Sequence, residues 1–474
     1  MNNGMNENPA ALVPELLLLA AAIAGLLLGA WLPRRRQYLV RLLAAAAVVT
    51  GLAATAVAAG RPTETVFGQS YAVDTLTHAT RAIVLVAVLV ALALSAKGTA
   101  GHVRETEFLV LVLLAALGTI VLAGANDLLL LMAAYLLASI PLYALAGWAK
   151  DPAAVEAAMK YYLVGAFLGV AMVTGVTLLY GAAGATGYGA LREGLAAAPA
   201  TVVAVGLVGV LAGLGFKIGA VPTHFWVPDV TDGTPPAVAA VVTTIPKIGG
   251  LIAAYRLFAA AIPADVIDWP LLVAVLAAAS MTLGNLAAFF QTGVQRLLAY
   301  STISQVGYLL MAVAVAGRAE LAQPALLFYT AAYAVTNLGA FAIVAALPAA
   351  RTLEDYRGLA RRRPGLVATL AVCLFGLIGT PPTGVFVGKL TVFTAAVDGG
   401  FGWLAVLAVL NTVASVFYYL RWLAPTIRPA PDTAVVRHDG WAAGTAYASA
   451  AVAVLLGVVA GLALPVLSGP LVTR

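Results

Sequence analysis

The chain has 474 residues, of which 62% are hydrophobic and only 10% are charged, against about 25% charged in soluble domains. That composition excludes an ordinary soluble protein, and its long continuous apolar runs favour membrane helices over the period-two alternation of a barrel. The formal net charge of +6 does not point to nucleic acid, because the arginines fall in short loops beside apolar runs.

The polar stretch Met1 to Pro14 lacks the basic start of a signal peptide, so the first apolar run is expected to remain as a helix. Taking runs of about 20 apolar residues as spans predicts an all-α polytopic membrane protein with about fourteen transmembrane helices. They fall near 11–32, 38–59, 74–96, 107–124, 127–148, 157–181, 201–222, 236–262, 269–290, 296–316, 324–347, 365–395, 402–424 and 442–467. If Arg34, Arg35 and Arg36 lie inside, an even number of spans puts both termini outside. Lys97 and Arg104, Lys150, Arg296, the Arg351 to Arg363 cluster and Arg428 with Arg437 then fall inside as well. The outside loops keep mainly Arg61, Arg192 and Arg318, as the positive-inside rule expects. Arg361, Arg362 and Arg363 read as a topology determinant before a lipid-binding or partner-binding patch. Gly181 to Pro199 and Ala424 to Asp439 read as surface connections.

The most informative stretch runs from Gly213 to Pro236 and sets Lys217, Pro222 and His224 in apolar sequence. A mid-membrane lysine costs about 2.5–3.5 kcal/mol, so such residues usually face protein or water and mark an ion pathway. Pro222 lacks an N–H and is expected to break the helix. Lys389 follows a second break at Pro381 and Pro382, about five helix-plus-loop units further on, which suggests two five-helix repeats with one broken helix each. The implied division is 1–106 for helices 1 to 3, 107–263 and 264–424 for the repeats, and 425–474 for the last loop and helix.

Lys217, Lys247 and Lys389 are therefore the candidate proton carriers, with Asp127 and Glu156 as possible acidic partners and His224 as a possible relay. Burial can lower a lysine pKa by ~3–5 units and a nearby carboxylate raises it again, so a moving carboxylate would load and release a proton. Competing readings are a helix cap for Asp127 and a surface pair of Glu156 with Lys160. Tyr300, Ser301, Thr302, Ser304 and Gln305 form a polar seam that either lines water or joins helices. His78, His102 and His438 look like loop or interface residues, and the lone Cys373 is expected to pack in the core. No phosphate loop, dinucleotide fingerprint or paired cysteines appear, so nucleotide, metal and redox centres are not expected in this chain.

Four stretches then carry a family resemblance: Gly215 to Val230 (GFKIGAVPTHFWVPDV), Arg296 to Ile303 (RLLAYSTI), Ala332 to Phe341 (AYAVTNLGAF) and Leu377 to Lys389 (LIGTPPTGVFVGK). Leu353 to Leu359 and Tyr418 to Arg421 add to them, and the match runs over roughly residues 74 to 424. The chain resembles the antiporter-like subunits of respiratory complex I, especially the N-subunit branch of bacterial NADH:quinone oxidoreductase, and the related multisubunit cation/proton antiporters. The resemblance implies fourteen helices with two inverted five-helix repeats, a proton half-channel in each, and a place among other membrane-arm subunits of the bacterial plasma membrane. It makes Lys217 the lysine of the first half-channel, Lys247 the connecting lysine, Lys389 the lysine of the second, and His224 the histidine after the break. Quinone, flavin and iron–sulfur clusters are implied in partner subunits. Two departures stand out. Leu136 occupies the place of the family's fifth-helix glutamate, and Gln305 replaces a frequent histidine. They imply an altered or inactive first half-channel. The alternatives are a cation/proton antiporter subunit and a non-pumping scaffold.

Overall fold

The computed structural model describes residues 8–429 and 438–472. Met1 to Glu7 and the segment 430–437, including Arg437 and much of the expected Ala424 to Asp439 connection, lie outside the described residues.

Helices α1 (Val13–Trp31) and α2 (Tyr38–Ala58) are followed by a short hairpin, β1 (Glu64–Val66) and β2 (Tyr71–Val73). Next come α3 (Thr75–Thr99), α4 (Glu105–Gly124), the interrupted pair α5 (Leu128–Leu137) and α6 (Ile140–Ala146), and α7 (Pro152–Ala183). The short α8 (Tyr188–Ala196) leads to α9 (Ala200–Ile218), α10 (Trp226–Gly233) and α11 (Pro236–Ala260). Then follow α12 (Trp269–Ala288), α13 (Val294–Ala314), α14 (Ala322–Ala346), α15 (Leu359–Arg362) and α16 (Pro364–Ile378). The last are α17 (Gly384–Asp398), α18 (Gly402–Ile427), α19 (Gly440–Val458) and α20 (Ala460–Val466). Thirteen helical stretches among the described residues are long and apolar enough to cross a membrane. The successive halves α16 and α17 make one further crossing, so the expected fourteen are present.

Counting crossings puts Arg34 to Arg36, Lys97, Arg104, Lys150, Arg351 to Arg363 and Arg428 on one side. Both ends of the described chain lie on the other, where the Val472 N–H donates to Asp74 at 3.4 Å. The centre is formed by α11, α13 and α14, which are buried on nearly every face, whereas α1, α2, α7 and α19 keep outward apolar faces.

Two buried ion pairs tie the N-terminal helices to one another and, through α3, to this centre. Arg81 on α3 meets Glu15 on α1 at 2.8 and 2.9 Å, and Glu15 also accepts from the Tyr71 hydroxyl at 2.7 Å. Arg256 on α11 grips Asp74 through two 2.7 Å bonds and donates to the Ala123 carbonyl at 3.0 Å. Their side chains are shut off from solvent, so each charge depends on its partner.

Two expectations need correction. Gly181 to Pro199 is not only a surface connection, because α8 buries Tyr188, Leu191 and Leu195. Residues spaced three and four apart share one helix face, which the Gly and Ala content obscured. His78 is not in a loop: Asp74 caps α3 through the Thr77 N–H, which places His78 in the first turn, 3.3 Å from Arg81. His102 does lie in a turn, 4.4 Å from the Trp148 ring.

Candidate functional site

The broken helices arise where the sequence supplies glycine and proline together. Gly219 ends α9 in the left-handed region (φ 74°) and Gly379 ends α16 likewise (φ 89°). The following Val221–Pro222 and Pro381–Pro382 bonds are both cis. Each break glycine is seated against a lysine. A Cβ on Gly219 would lie 3.1 Å from Lys247 Nζ, and one on Gly379 would lie 2.9 Å from Lys389 Cδ.

Lys217, in the last turn of α9, is fully buried. Its ammonium donates to the Ser139 hydroxyl, which sits in the interruption between α5 and α6, and stands 4.8 Å from the Tyr135 ring centre. Its stem lies along α11, where a Cβ on Gly250 would be 3.2 Å from Lys217 Cγ. Lys247, one residue after Pro246 in α11, is equally buried and donates to Thr302 Oγ1 at 3.2 Å. Lys389 on α17 donates to the Ile378 carbonyl at 2.9 Å and to Thr412 Oγ1 at 3.4 Å, with Tyr308 beneath it at 4.0 Å. Ile378 is the last residue of α16, so this ammonium meets the electronegative end of a helix.

Hydroxyls and amides occupy the space between Lys247 and Lys389. Ser301 and Tyr419 are 2.5 Å apart, the Tyr329 hydroxyl donates to Gln305 at 2.5 Å, and the Gln305 amide donates to the Leu377 carbonyl at 2.7 Å. Thr412 reaches the Tyr308 hydroxyl at 3.3 Å. Asn337 donates to Thr244 at 2.9 Å, one turn from Lys247. Ser304 Oγ and Thr330 Oγ1 are buried without a hydrogen-bond partner among the described residues, which leaves donors for water in the same seam. His224, between α9 and α10, likewise has a buried Nδ1 with no protein partner.

Among the described residues none of the three lysines forms an ion pair. The two acids expected near them stand elsewhere. Asp127 caps α5, accepting from the Leu129 and Leu130 N–H groups at 2.7 and 3.1 Å. Glu156 is exposed and pairs with Lys160 at 2.7 Å. Leu136 is 45% exposed on the outer face of α5.

Sequence reasoning passed over Asp229. From α10 it binds Lys160 on α7 at 2.8 Å and Arg296 on α13 at 2.9 Å. Partial burial opposes its charge, but the two cations outweigh that and hold its carboxyl below the ordinary aspartate range. Asp232, 3.9 Å from Arg296, is instead pushed up by burial. Both line a polar bay of about 810 Å³ on the arginine-rich side, together with Glu156, Gln295 and Arg351. The same α10 carries Trp226, which stacks on Tyr161 with ring centres 4.3 Å apart and donates to the Phe216 carbonyl at 3.0 Å, one residue before Lys217. The Trp-Val-Pro-Asp motif was the available signal, but its partners lie 69 and 67 residues away along the chain.

The family described as NADH:quinone oxidoreductase/Mrp antiporter, transmembrane, matches residues 125–415. Over 466 residues the chain is 61% identical to NADH-quinone oxidoreductase subunit N 1 of Streptomyces griseus, with 98% of each chain covered. A chain of respiratory complex I from Thermus thermophilus with bound aureothin superposes with a TM-score of 0.83 at 32% identity, covering 96% of this chain and 99% of that one. A chain of the Mrp complex from Dietzia sp. shares the fold, with a TM-score of 0.85 at 21% identity over 97% and 96% of the two chains.

Proposed function

Because this chain belongs to the NADH:quinone oxidoreductase/Mrp antiporter family of transmembrane subunits, we propose that it serves in the membrane arm of a complex I-like NADH:quinone oxidoreductase and moves protons along Lys217, Lys247 and Lys389. The observation that carries this reading is the placement of three buried lysines beside helix breaks or a helix proline, with hydroxyl groups between the last two. An ammonium beside a hydroxyl or an ordered water can pass a proton along that contact and be reloaded from its other side. In this reading Thr302 receives Lys247, the Ser301, Tyr419 and Gln305 groups carry the seam onward, and Thr412 and the Ile378 carbonyl hold Lys389. Lys217 has only the Ser139 hydroxyl and ring faces, so we assign the first half-channel a weaker role than the second.

The work is driven from outside the chain. Partner subunits would hold quinone, flavin and iron–sulfur clusters and supply the free energy of quinone reduction. The arginine-rich face is assigned to the inside of a bacterial plasma membrane, with both termini outside. Residues 107–263 and 264–424 are assigned as the two five-helix repeats.

The decisive experiment is Lys389→Ala in the assembled complex in vesicles, with proton uptake measured per quinone reduced. Reduced translocation with intact assembly is expected, and unchanged translocation removes the lysine pathway. A second reading, a cation/proton antiporter subunit, is favoured by the fold shared with the Mrp chain. It requires sodium- or potassium-dependent proton flux without quinone, and the absence of that flux removes it.

A further inference from the structure

A large cleft lies on the flank formed by α2, α3 and α19, and its lining reaches Val335 on α14. It has a volume of about 1040 Å³, on the scale of a ligand pocket, and opens between α3 and α19 toward the surrounding membrane. Its walls are apolar: Leu89, Val90 and Ala93 on α3 face Gly444, Ala448 and Val452 on α19. A Cβ on Gly444 would meet nothing within 4 Å, so the α19 wall leaves open space at this point.

Its mouth on the arginine-rich side is polar. Arg41 is committed to the Leu92 carbonyl at 2.7 Å, Ser95 at 3.2 Å and Glu105 at 3.3 Å. Asp439 is committed as the cap of α19, accepting from the Trp441 N–H at 2.9 Å. Both carboxylates at the mouth are thus engaged, while Lys97 is exposed and forms no hydrogen bond or ion pair among the described residues. Tyr38 and Trp441, 54% and 66% exposed, flank the opening at the depth where aromatic residues meet lipid headgroups.

We propose that this cleft is a binding site for one anionic glycerophospholipid, its phosphate on Lys97 and its acyl chains between α3 and α19. The charge selects the occupant. A phosphate satisfies the three donors of a free ammonium, which an acyl chain or an apolar helix does not, and basic pockets between membrane helices hold such headgroups in this way. Arg34, Arg35 and Arg36, just before Tyr38, add positive charge on the same side of the membrane. The groove walls exclude water from the chains and contribute the apolar part of the affinity.

The test titrates the full chain, purified with its complex, with phosphatidylglycerol and counts retained lipids by native mass spectrometry. Wild type is expected to hold one lipid tightly. Lys97→Ala should weaken retention about 5-fold, the equivalent of ~1 kcal/mol per basic residue near a membrane surface. Gly444→Leu, which puts an isobutyl group into the groove from a position where a Cβ meets nothing within 4 Å, should abolish retention, whereas Gly461→Leu on α20, where a Cβ likewise meets nothing, should not. Retention in Gly444→Leu equal to wild type overturns the proposal. So does a photo-crosslinker at Gly444→Cys that labels a neighbouring subunit instead of lipid, since a partner helix would then occupy the cleft.

Discussion

Replacing Gly379 by alanine separates the two functions of a helix-break glycine, because the chain contains a matched control. Gly379 and Gly400 have nearly the same backbone angle, φ 89° and 87°. A Cβ on Gly400 meets nothing within 4 Å, whereas one on Gly379 stands 2.9 Å from Lys389 Cδ and 3.5 Å from Cε. Both alanines suffer left-handed strain of about 1–2 kcal/mol. Only Gly379→Ala must also move the lysine stem, whose ammonium is held at 2.9 Å from the Ile378 carbonyl. Overpacking adds about 1–3 kcal/mol, and losing a hydrogen bond from a charged donor costs about 1.5–3 kcal/mol. The overpacking alone should therefore make Gly379→Ala about 1–3 kcal/mol less stable than Gly400→Ala, and loss of the carbonyl bond adds to that. Gly379→Ala should also translocate fewer protons per quinone in vesicles, while Gly400→Ala stays near wild type. Equal stability and equal translocation in the two variants would refute the idea that the break is shaped around Lys389.

Further expectations concern the ion pairs. Asp229→Asn removes the anchor that α10 shares with α7 and α13. Both pairs are solvent-screened and individually weak, so assembly should survive, while amide hydrogen exchange in α10 should quicken and translocation fall. Unaltered exchange in α10 would show that the anchor is idle. Because the Asp229 carboxyl is held low in the folded chain, its contribution is complete at neutral pH and fades only as pH drops below the ordinary aspartate value of about 3.9. Protection of the α10 amides, taken relative to their intrinsic exchange rates, should thus be unaffected by this group between about pH 5 and 8 and should fall in acid, a change absent from Asp229→Asn. Asp74→Asn leaves Arg256 buried without its counter-charge, which costs about 3–5 kcal/mol. It should sharply lower the yield of assembled protein in membranes, and the double change Asp74→Leu with Arg256→Met should recover much of it.

Hydropathy made the crossings legible because a membrane helix must satisfy its backbone internally and cover about 30 Å with apolar side chains. Glycine and proline beside Lys217 and Lys389 marked the breaks for an equally local reason. What stayed hidden were meetings between distant positions. Arg256 and Asp74 are 182 residues apart, and nothing near either one announces the other. Asp229 looked like one residue of a motif and became a junction of three helices only once α7 and α13 were placed. Leu136 stands where the resemblance implies a glutamate, but nothing in the sequence announced that Ser139 and the Tyr135 ring stand beside the ammonium.

Lys217 and Lys247 interlock: the stem of the first lies against Gly250 of the second lysine's helix, and the ammonium of the second lies against Gly219 of the first lysine's break. With no carboxylate paired to either among the described residues, the interaction between their charged forms is repulsion between like ions. Occupancy along such a row is anticooperative, since a proton on one site disfavours a proton on the next.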